Sequence, residues 1–152
     1  VDARTDDSFV IMARTDALAE EGLERSIERC QKYIEAGADV IFAEAITDAD
    51  HYRFFTQSLS VPVLANMTEF GMSPLMTVEH LSEVGVELVL YPLTAFRMMS
   101  QAAETAYGTI RKTGTQSSLL DQMQTRKGLY EVLDYHAYEQ KIDDLLKRAD
   151  AE

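Results

Sequence analysis

Four short apolar runs in this chain each lead into a polar residue that could take part in chemistry. Arginine and asparagine donate hydrogen bonds, and a glutamate can accept them or orient water near a cation. In chain order the polar residues are Arg14, Glu44, Asn66 and Arg97, and the runs are residues 9–13, 40–43, 61–65 and 88–90. We predict that these positions converge on one pocket, although the alternative of a plain ion pair between Arg14 and Asp16 or Glu44 stays open.

The apolar runs predict parallel β-strands, because near-continuous apolar runs suit strands that are covered on both faces. The segments between them carry helical patterns, such as the apolar stripe Leu23, Ile27, Cys30 and Ile34. This arrangement predicts an α/β fold with four β/α units in residues 1–116 and a helical tail in residues 117–152. In such folds the residues just past the carboxyl ends of the strands line the active site.

Composition limits the partners of this chain of 152 residues. Its 26 acidic and 14 basic residues give a net charge of −12, which disfavours binding to nucleic acids or to anionic membranes. The sequence shows no transmembrane stretch and no signal-peptide pattern, and the first residue, Val1, suggests a processed or partial chain. The single cysteine fits a reducing cytoplasm, and its place on an apolar stripe predicts a buried structural thiol.

Four parallel strands leave the architecture open. A closed barrel of this type needs eight strands, and an isolated four-stranded sheet would expose two edges. The chain is therefore either a small doubly wound domain or half of a (β/α)8 barrel.

The motifs at the strand ends resemble those of the 2-methylisocitrate lyase family, within the isocitrate lyase and phosphoenolpyruvate mutase superfamily. The resemblance extends along essentially the whole chain and keeps the order of the motifs. The matching segments are residues 12–17, 42–45, 64–71, 91–97, 114–116 and 123–126.

The resemblance implies that the chain is the C-terminal half of a (β/α)8 TIM-type barrel with a helical C-terminal tail. Family enzymes cleave 2-methylisocitrate, a tricarboxylate, to pyruvate and succinate in the methylcitrate cycle of propionate catabolism. They use Mg²⁺ and a catalytic cysteine in a Lys-Lys/Arg-Cys-Gly-His loop, and they form cytoplasmic homotetramers that exchange C-terminal helices. Neither the loop nor the family's acidic metal ligands occur in this sequence, so no catalytic or metal-binding residue is assigned and the 152 residues alone are expected to be inactive.

By the same resemblance, seven residues are expected to bind substrate. Arginines would hold carboxylates through their planar fork, Asn66 and Thr68 would hold another carboxylate, and Glu44 would orient substrate or metal-bound water. The seven are Arg14, Glu44, Asn66, Met67, Thr68, Arg97 and Arg126.

Two alternatives remain. The first is another enzyme of the superfamily, such as an isocitrate lyase, an oxaloacetate hydrolase, a dimethylmalate lyase or a phosphonate mutase. The second is a non-catalytic barrel half that serves as an assembly module.

Overall fold

A computed structural model describes residues 1–149 and contains four strands, seven α-helices and one 3₁₀-helix. The elements are, in order, β1 (Met12–Thr15), α1 (Leu18–Glu21), α2 (Leu23–Glu35), β2 (Val40–Ala43), α3 (Ala49–Ser58), β3 (Val63–Asn66), α4 (Val78–Glu83), β4 (Leu88–Leu90), α5 (Thr94–Thr113), the 3₁₀-helix (Ser117–Gln122), α6 (Arg126–Val132) and α7 (Tyr135–Ala149). The alternation of strands and helices through β4 confirms the predicted α/β class.

The four strands form one parallel sheet in the order β1-β2-β3-β4. Each new strand is added on the same side of the previous one, so the described residues contain no reversal of strand order. A doubly wound sheet requires such a reversal, at the point where its ligand binds. The described sheet therefore does not have the doubly wound topology, and its order is that of consecutive strands in a barrel.

The register divides the strand residues between two faces of the sheet. The helix-covered face carries Ile41, Ala43, Val63 and Ala65, all buried in one apolar core together with residues of α2, α3 and α4. We call the opposite side the open face; its residues are Met12, Arg14, Val40, Phe42, Leu64, Asn66, Leu88 and Leu90. Because successive strand side chains alternate between faces, the polar residues Arg14 and Asn66 share the open face.

The helices that cover the sheet follow local signals in the sequence. In α3, the Asp48 carboxylate caps the helix by accepting a hydrogen bond from the Asp50 N–H at 2.8 Å, and Tyr52 and Phe55 are buried. In α4, the Thr77 hydroxyl caps the helix through the His80 N–H at 3.2 Å. Helix α2 ends before Gly37, whose φ of +101° favours glycine.

The first strand differs from its predicted position. The apolar run 9–13 was expected to form the strand and to end before Arg14, but β1 begins at Met12 and includes Arg14. Phe9 and Val10 are exposed, and the Ile11 N–H is bonded to the Asp39 carboxylate at 2.8 Å. The Ile11 main-chain oxygen accepts from the Asp39 and Val40 N–H groups, at 2.8 and 3.4 Å, but residue-by-residue pairing with β2 starts at Met12. Strand pairing rather than hydrophobicity therefore determines where β1 begins.

The chain divides into two compact units, residues 1–100 and the residues from Gln101 onward. The first unit contains the sheet, and the second contains the helices of the predicted tail. In the second unit Tyr130 stacks on Tyr135 with ring centroids 4.2 Å apart. Within residues 1–149, no helix is both long and apolar enough to cross a membrane.

Candidate functional site

Five polar side chains form one continuous polar chain, joined by hydrogen bonds and one ion pair, at the carboxyl ends of β1, β2 and β3. The Arg14 guanidinium donates to Asp16 from Nε at 3.0 Å and from Nη2 at 2.8 Å, and Nη2 lies 3.3 Å from Glu44 Oε2. The same Glu44 oxygen accepts from Asn66 Nδ2 at 3.2 Å, and Asn66 Oδ1 accepts from the Thr68 hydroxyl at 2.7 Å. The predicted convergence of Arg14, Glu44 and Asn66 is therefore present in the structure.

These bonds fix the orientation of the donors that remain for a ligand. The Asn66 amide is oriented by an acceptor on one side and a donor on the other, and one of its two Nδ2 hydrogens points to Glu44. The second hydrogen stays available, as does Nη1 of Arg14, which makes no hydrogen bond among the described residues. An anion with two oxygens could bind these donors without displacing a protein group.

The charged side chains of the polar chain stabilise each other's ionised forms. The hydrogen bond from Arg14 holds the pKa of Asp16 below its usual value, and Asp16 in turn raises the pKa of Arg14. The Arg14 guanidinium also lies over the Phe42 ring, 5.0 Å from the centroid, on the same open face. Arg14 is therefore held from below by a ring and from its sides by two carboxylates.

Beneath the polar chain lies the buried phenol of Tyr52. Burial is the main cause that raises the pKa of Tyr52 to about 12, with a smaller contribution from the negative charge of Glu44, while the Asn66 backbone acts in the opposite direction. The residue after Glu44, Ala45, has a φ of +56°, a conformation that costs energy for a side chain with a Cβ. Strained backbone of this kind is concentrated at binding and catalytic sites.

Arg97 belongs to a second polar cluster, at the β3–α4 loop and the first turn of α5. Its Nη1 donates to the Glu69 main-chain oxygen at 2.5 Å and lies 3.1 Å from Glu69 Oε2. The Thr94 hydroxyl donates to the other carboxylate oxygen of Glu69. The guanidinium lies 5.1 Å from the centroid of the Phe70 ring. Arg97 is thus ordered, but by partners that the sequence interpretation did not assign.

Two further predicted residues are not part of either cluster. The Met67 side chain is buried and its sulfur accepts from the Met76 N–H at 3.3 Å, while the Met67 N–H is bonded to the Leu90 oxygen at 2.8 Å. The Met67 side chain and N–H are therefore not exposed to a ligand in this structure. Arg126 is the exposed first residue of α6, in the second unit, where it lines a cavity of about 560 Å³. The substrate-binding roles of both residues stay predictions.

The cysteine has the environment that the sequence predicted. Cys30 is completely buried in the apolar core, and burial raises the pKa of its thiol to about 11. A thiol with this pKa is a poor nucleophile at neutral pH. Across residues 1–149, no group of three or more His, Cys, Asp or Glu side chains could hold a metal ion, so the described residues do not fit a complete magnesium site.

Sequence interpretation assigned no role to Phe42, Tyr52, Glu69 or Thr94. Tyr52 was placed in the apolar stripe of a helix, which is correct for its ring but does not reveal what its hydroxyl approaches. Glu69 had a usable signal, since it follows Asn66 and Thr68 in the same loop. Its pairing with Arg97 joins positions 28 residues apart, and local sequence patterns do not show such contacts.

Comparisons with known proteins agree with the strand-end motifs. A 2-methylisocitrate lyase of Escherichia coli K12 is 55% identical over 149 residues, which are 98% of this chain and 50% of the relative. A crystal structure of 2,3-dimethylmalate lyase superposes with a TM-score of 0.76 at 31% identity, covering 90% of this chain and 47% of that one. Phosphonopyruvate hydrolase in complex with oxalate and Mg²⁺ gives a TM-score of 0.76 at 27% identity, covering 91% and 50%.

These matches confirm the resemblance to 2-methylisocitrate lyases, and the chain spans about half the length of the curated relatives it matches. The family model described as phosphoenolpyruvate phosphomutase matches residues 1–111, which include the whole sheet and both polar clusters. The chain therefore belongs to the phosphoenolpyruvate phosphomutase family.

Proposed function

We propose that the native protein containing this chain is a 2-methylisocitrate lyase, which cleaves 2-methylisocitrate to pyruvate and succinate. The observation that carries the proposal is the polar chain in which Arg14 pairs with Glu44 and Glu44, Asn66 and Thr68 are hydrogen-bonded, in a sequence 55% identical to an enzyme of that name. These side chains present oriented hydrogen-bond donors at the strand ends, as the binding of a tricarboxylate requires.

In the reaction a substrate hydroxyl loses its proton, a carbon–carbon bond breaks, and the resulting carbanion is protonated. The residues of this chain would bind and orient the substrate. Arg14 and Asn66 would donate to one carboxylate of the substrate, Thr68 would hold the Asn66 amide in its orientation, and Arg97 would bind a second carboxylate. Arginine and amide groups that are already oriented stabilise negative charge as it develops on the substrate, because they need no reorganisation during the reaction step.

We propose that the open face is part of the interior of a (β/α)8 barrel completed by the rest of the native polypeptide. Met12, Leu88 and Leu90 on this face are 40%, 39% and 36% exposed, which is unfavourable for apolar residues in water. The sequential strand order and the half-length match to relatives support the same architecture. In such an enzyme the predicted division would be a barrel half, residues 1–116, and a helical tail, residues 117–152.

Further features of the native enzyme belong to the same proposal. Bound Mg²⁺ would polarise the hydroxy-acid end of the substrate, and its direct ligands and the catalytic cysteine would lie outside this chain. A relative whose structure was solved with oxalate and Mg²⁺ supports the proposed use of Mg²⁺ by the native enzyme. A cytoplasmic homotetramer with exchanged C-terminal helices is part of the proposal, and the exposed apolar residues Tyr138, Ile142 and Leu145 of α7 support the covering of this helix by a neighbouring subunit.

The test is turnover by the native polypeptide, with pyruvate release measured in Mg²⁺ buffer. We expect activity on 2-methylisocitrate, no activity of the 152-residue chain alone, and a loss of about 10- to 100-fold in kcat/KM for Arg97→Ala, since one charged hydrogen-bonding group is removed. Arg53→Ala is the matched control, because among residues 1–149 Arg53 forms an ion pair only with Asp50, on the exposed side of α3 at 3.6 Å. Turnover by the native polypeptide that is unaffected by Arg97→Ala would contradict the proposed role of Arg97.

A second candidate function is cleavage of a smaller hydroxy- or oxo-acid, favoured by the structural match to 2,3-dimethylmalate lyase. Assays with 2-methylisocitrate, isocitrate, 2,3-dimethylmalate and oxaloacetate in parallel discriminate between these enzymes. A native polypeptide that turns over none of the four would favour the non-catalytic assembly module instead.

A further inference from the structure

The carboxylate of Glu69 joins two elements of the first unit. One of its oxygens accepts from the Thr94 hydroxyl, on the first residue of α5, and the other lies 3.1 Å from Arg97 Nη1. The main-chain oxygen of Glu69 accepts from the same Nη1 at 2.5 Å. The β3–α4 loop is therefore joined to the first turn of α5 by three contacts, and all three are made by Glu69.

These contacts occupy one side of the Arg97 guanidinium and leave the other side free. Nη1 carries two hydrogens, and the two oxygens of Glu69 account for both. The carbon of the Arg97 guanidinium lies over the Phe70 ring, 5.1 Å from the ring centroid. The remaining donors are Nε and Nη2, whose hydrogens are parallel and match the two oxygens of a carboxylate.

The backbone at Phe70, the residue after Glu69, is also unusual. Phe70 has a φ of +63° and a side chain that is 96% exposed, so nothing in the core requires it to adopt this conformation. A non-glycine residue in the left-handed region costs energy, and such residues persist where surrounding contacts hold them. Here the conformation places the ring against Arg97. The hydrogen bond from Thr94 is the main cause that keeps the pKa of Glu69 below its usual value, so the carboxylate is ionised at neutral pH.

We propose that Glu69 is a positioning residue for Arg97: with Thr94 it holds Nη1, so that the Nε–Nη2 edge of Arg97 binds a carboxylate of the substrate. This inference rests on the proposed lyase function, in which Arg97 contacts substrate. Glu69 itself touches no substrate and acts only through the arginine. Removing the Glu69 carboxylate should therefore not lower kcat/KM further once Arg97 has been replaced.

A double-mutant cycle in the native polypeptide tests this directly. We expect Glu69→Ala to lower kcat/KM by about tenfold, mainly through KM, since an arginine held only by the main-chain oxygen of residue 69 forms a weaker bidentate contact. In an Arg97→Ala background the same substitution should change kcat/KM by less than about twofold, because only one of the two residues meets the ligand. Glu69→Gln keeps an acceptor for Thr94 or Arg97 and should recover part of the loss. Glu83→Ala, an exposed glutamate of α4, is the matched control.

A readout without substrate separates this inference from the proposed function. Glu69 should slow the rotation of the Arg97 guanidinium, so the wild-type protein should show distinct Arg97 Nη signals in ¹⁵N NMR spectra, assigned by their loss in Arg97→Lys. In Glu69→Ala they should average. Absence of 2-methylisocitrate turnover in the wild type, with distinct Nη signals, would refute the lyase function but not the hold of Glu69 on Arg97. Averaged wild-type signals, or additive losses in the double mutant, would overturn the positioning role.

Discussion

Replacing Asn66 by aspartate would change a single atom type in the centre of the polar chain. The Asn66 amide nitrogen donates to Glu44 Oε2 at 3.2 Å, and the substitution puts a carboxylate oxygen in its place. A favourable hydrogen bond then becomes a repulsive contact between two carboxylates. The side chain keeps its size, so packing is unchanged and the effect is electrostatic.

The magnitude follows from the separation of 3.2 Å. Two unit charges at that distance repel by about 5 kcal/mol at an effective dielectric constant of about 20, and by about 1.3 kcal/mol in bulk water. Arg14, 3.3 Å from the same Glu44 oxygen, offsets part of this repulsion. The lower figure already corresponds to a rise of about one unit in the pKa of the introduced carboxyl group.

The sign of the pH dependence is determined by that rise. The introduced carboxyl would have a folded-state pKa above its unfolded value of about 3.9. Below that pH it is protonated in both states and can still donate a hydrogen bond to Glu44, so the variant should approach wild-type stability. As pH rises through the folded-state pKa, the variant should lose stability relative to wild type and then reach a plateau.

Urea unfolding of the native polypeptide at a series of pH values from 4 to 8 measures this difference. Gln57→Glu on the exposed surface of α3 adds the same charge away from any carboxylate and should show no such trend. Adding Glu44→Gln to Asn66→Asp should remove most of the pH dependence. A difference from wild type that is constant across the pH range would refute the reasoning, since it would mean that the two side chains are not in contact.

Two further predictions concern glycine substitutions and the buried thiol. Gly85→Ala should destabilise the fold by more than about 1 kcal/mol in urea unfolding, because its φ is +85° and the new Cβ would lie 2.8 Å from the Thr56 hydroxyl. Gly108→Ala, inside α5 with nothing within 4 Å, should instead stabilise by about 0.5–1 kcal/mol, and equal effects at both positions would contradict the structure. Cys30, whose thiol pKa is about 11, should not react with iodoacetamide at pH 8 unless urea is added; rapid alkylation of the folded protein would show that the thiol is accessible.

The sequence predicted the local elements well because their signals are local. The apolar runs at residues 40–43 and 88–90 coincide with β2 and β4, and α3 and α4 begin at residues that commonly cap helices, Asp48 and Thr77. The prediction was less accurate for β1. Residues 9–11 are as apolar as a strand, but Phe9 and Val10 are exposed and Ile11 reaches β2 only through its main-chain oxygen. Pairing is a property of two segments rather than one.

For the site, the residue types were readable but their connections were not. Arg14, Glu44 and Asn66 were identified from their places after apolar runs, and parallel strands necessarily bring such positions to one edge. The order of hydrogen bonds, from Asp16 through to Thr68, depends on the register of neighbouring strands. A shift of one residue would have moved each side chain to the other face of the sheet.

The amino-acid sequence by itself determined the α/β class, the family and the identity of the polar residues at the strand ends, because periodicity, caps and motifs are contained in short stretches of chain. Only the tertiary structure decided which neighbours these residues have. It placed Phe42 beneath Arg14, and Glu69 and Thr94 around Arg97, since contacts between positions about 25 to 28 residues apart arise only when strands and helices pack. Sequence therefore named the groups that could bind an anion, and packing fixed the direction in which they donate.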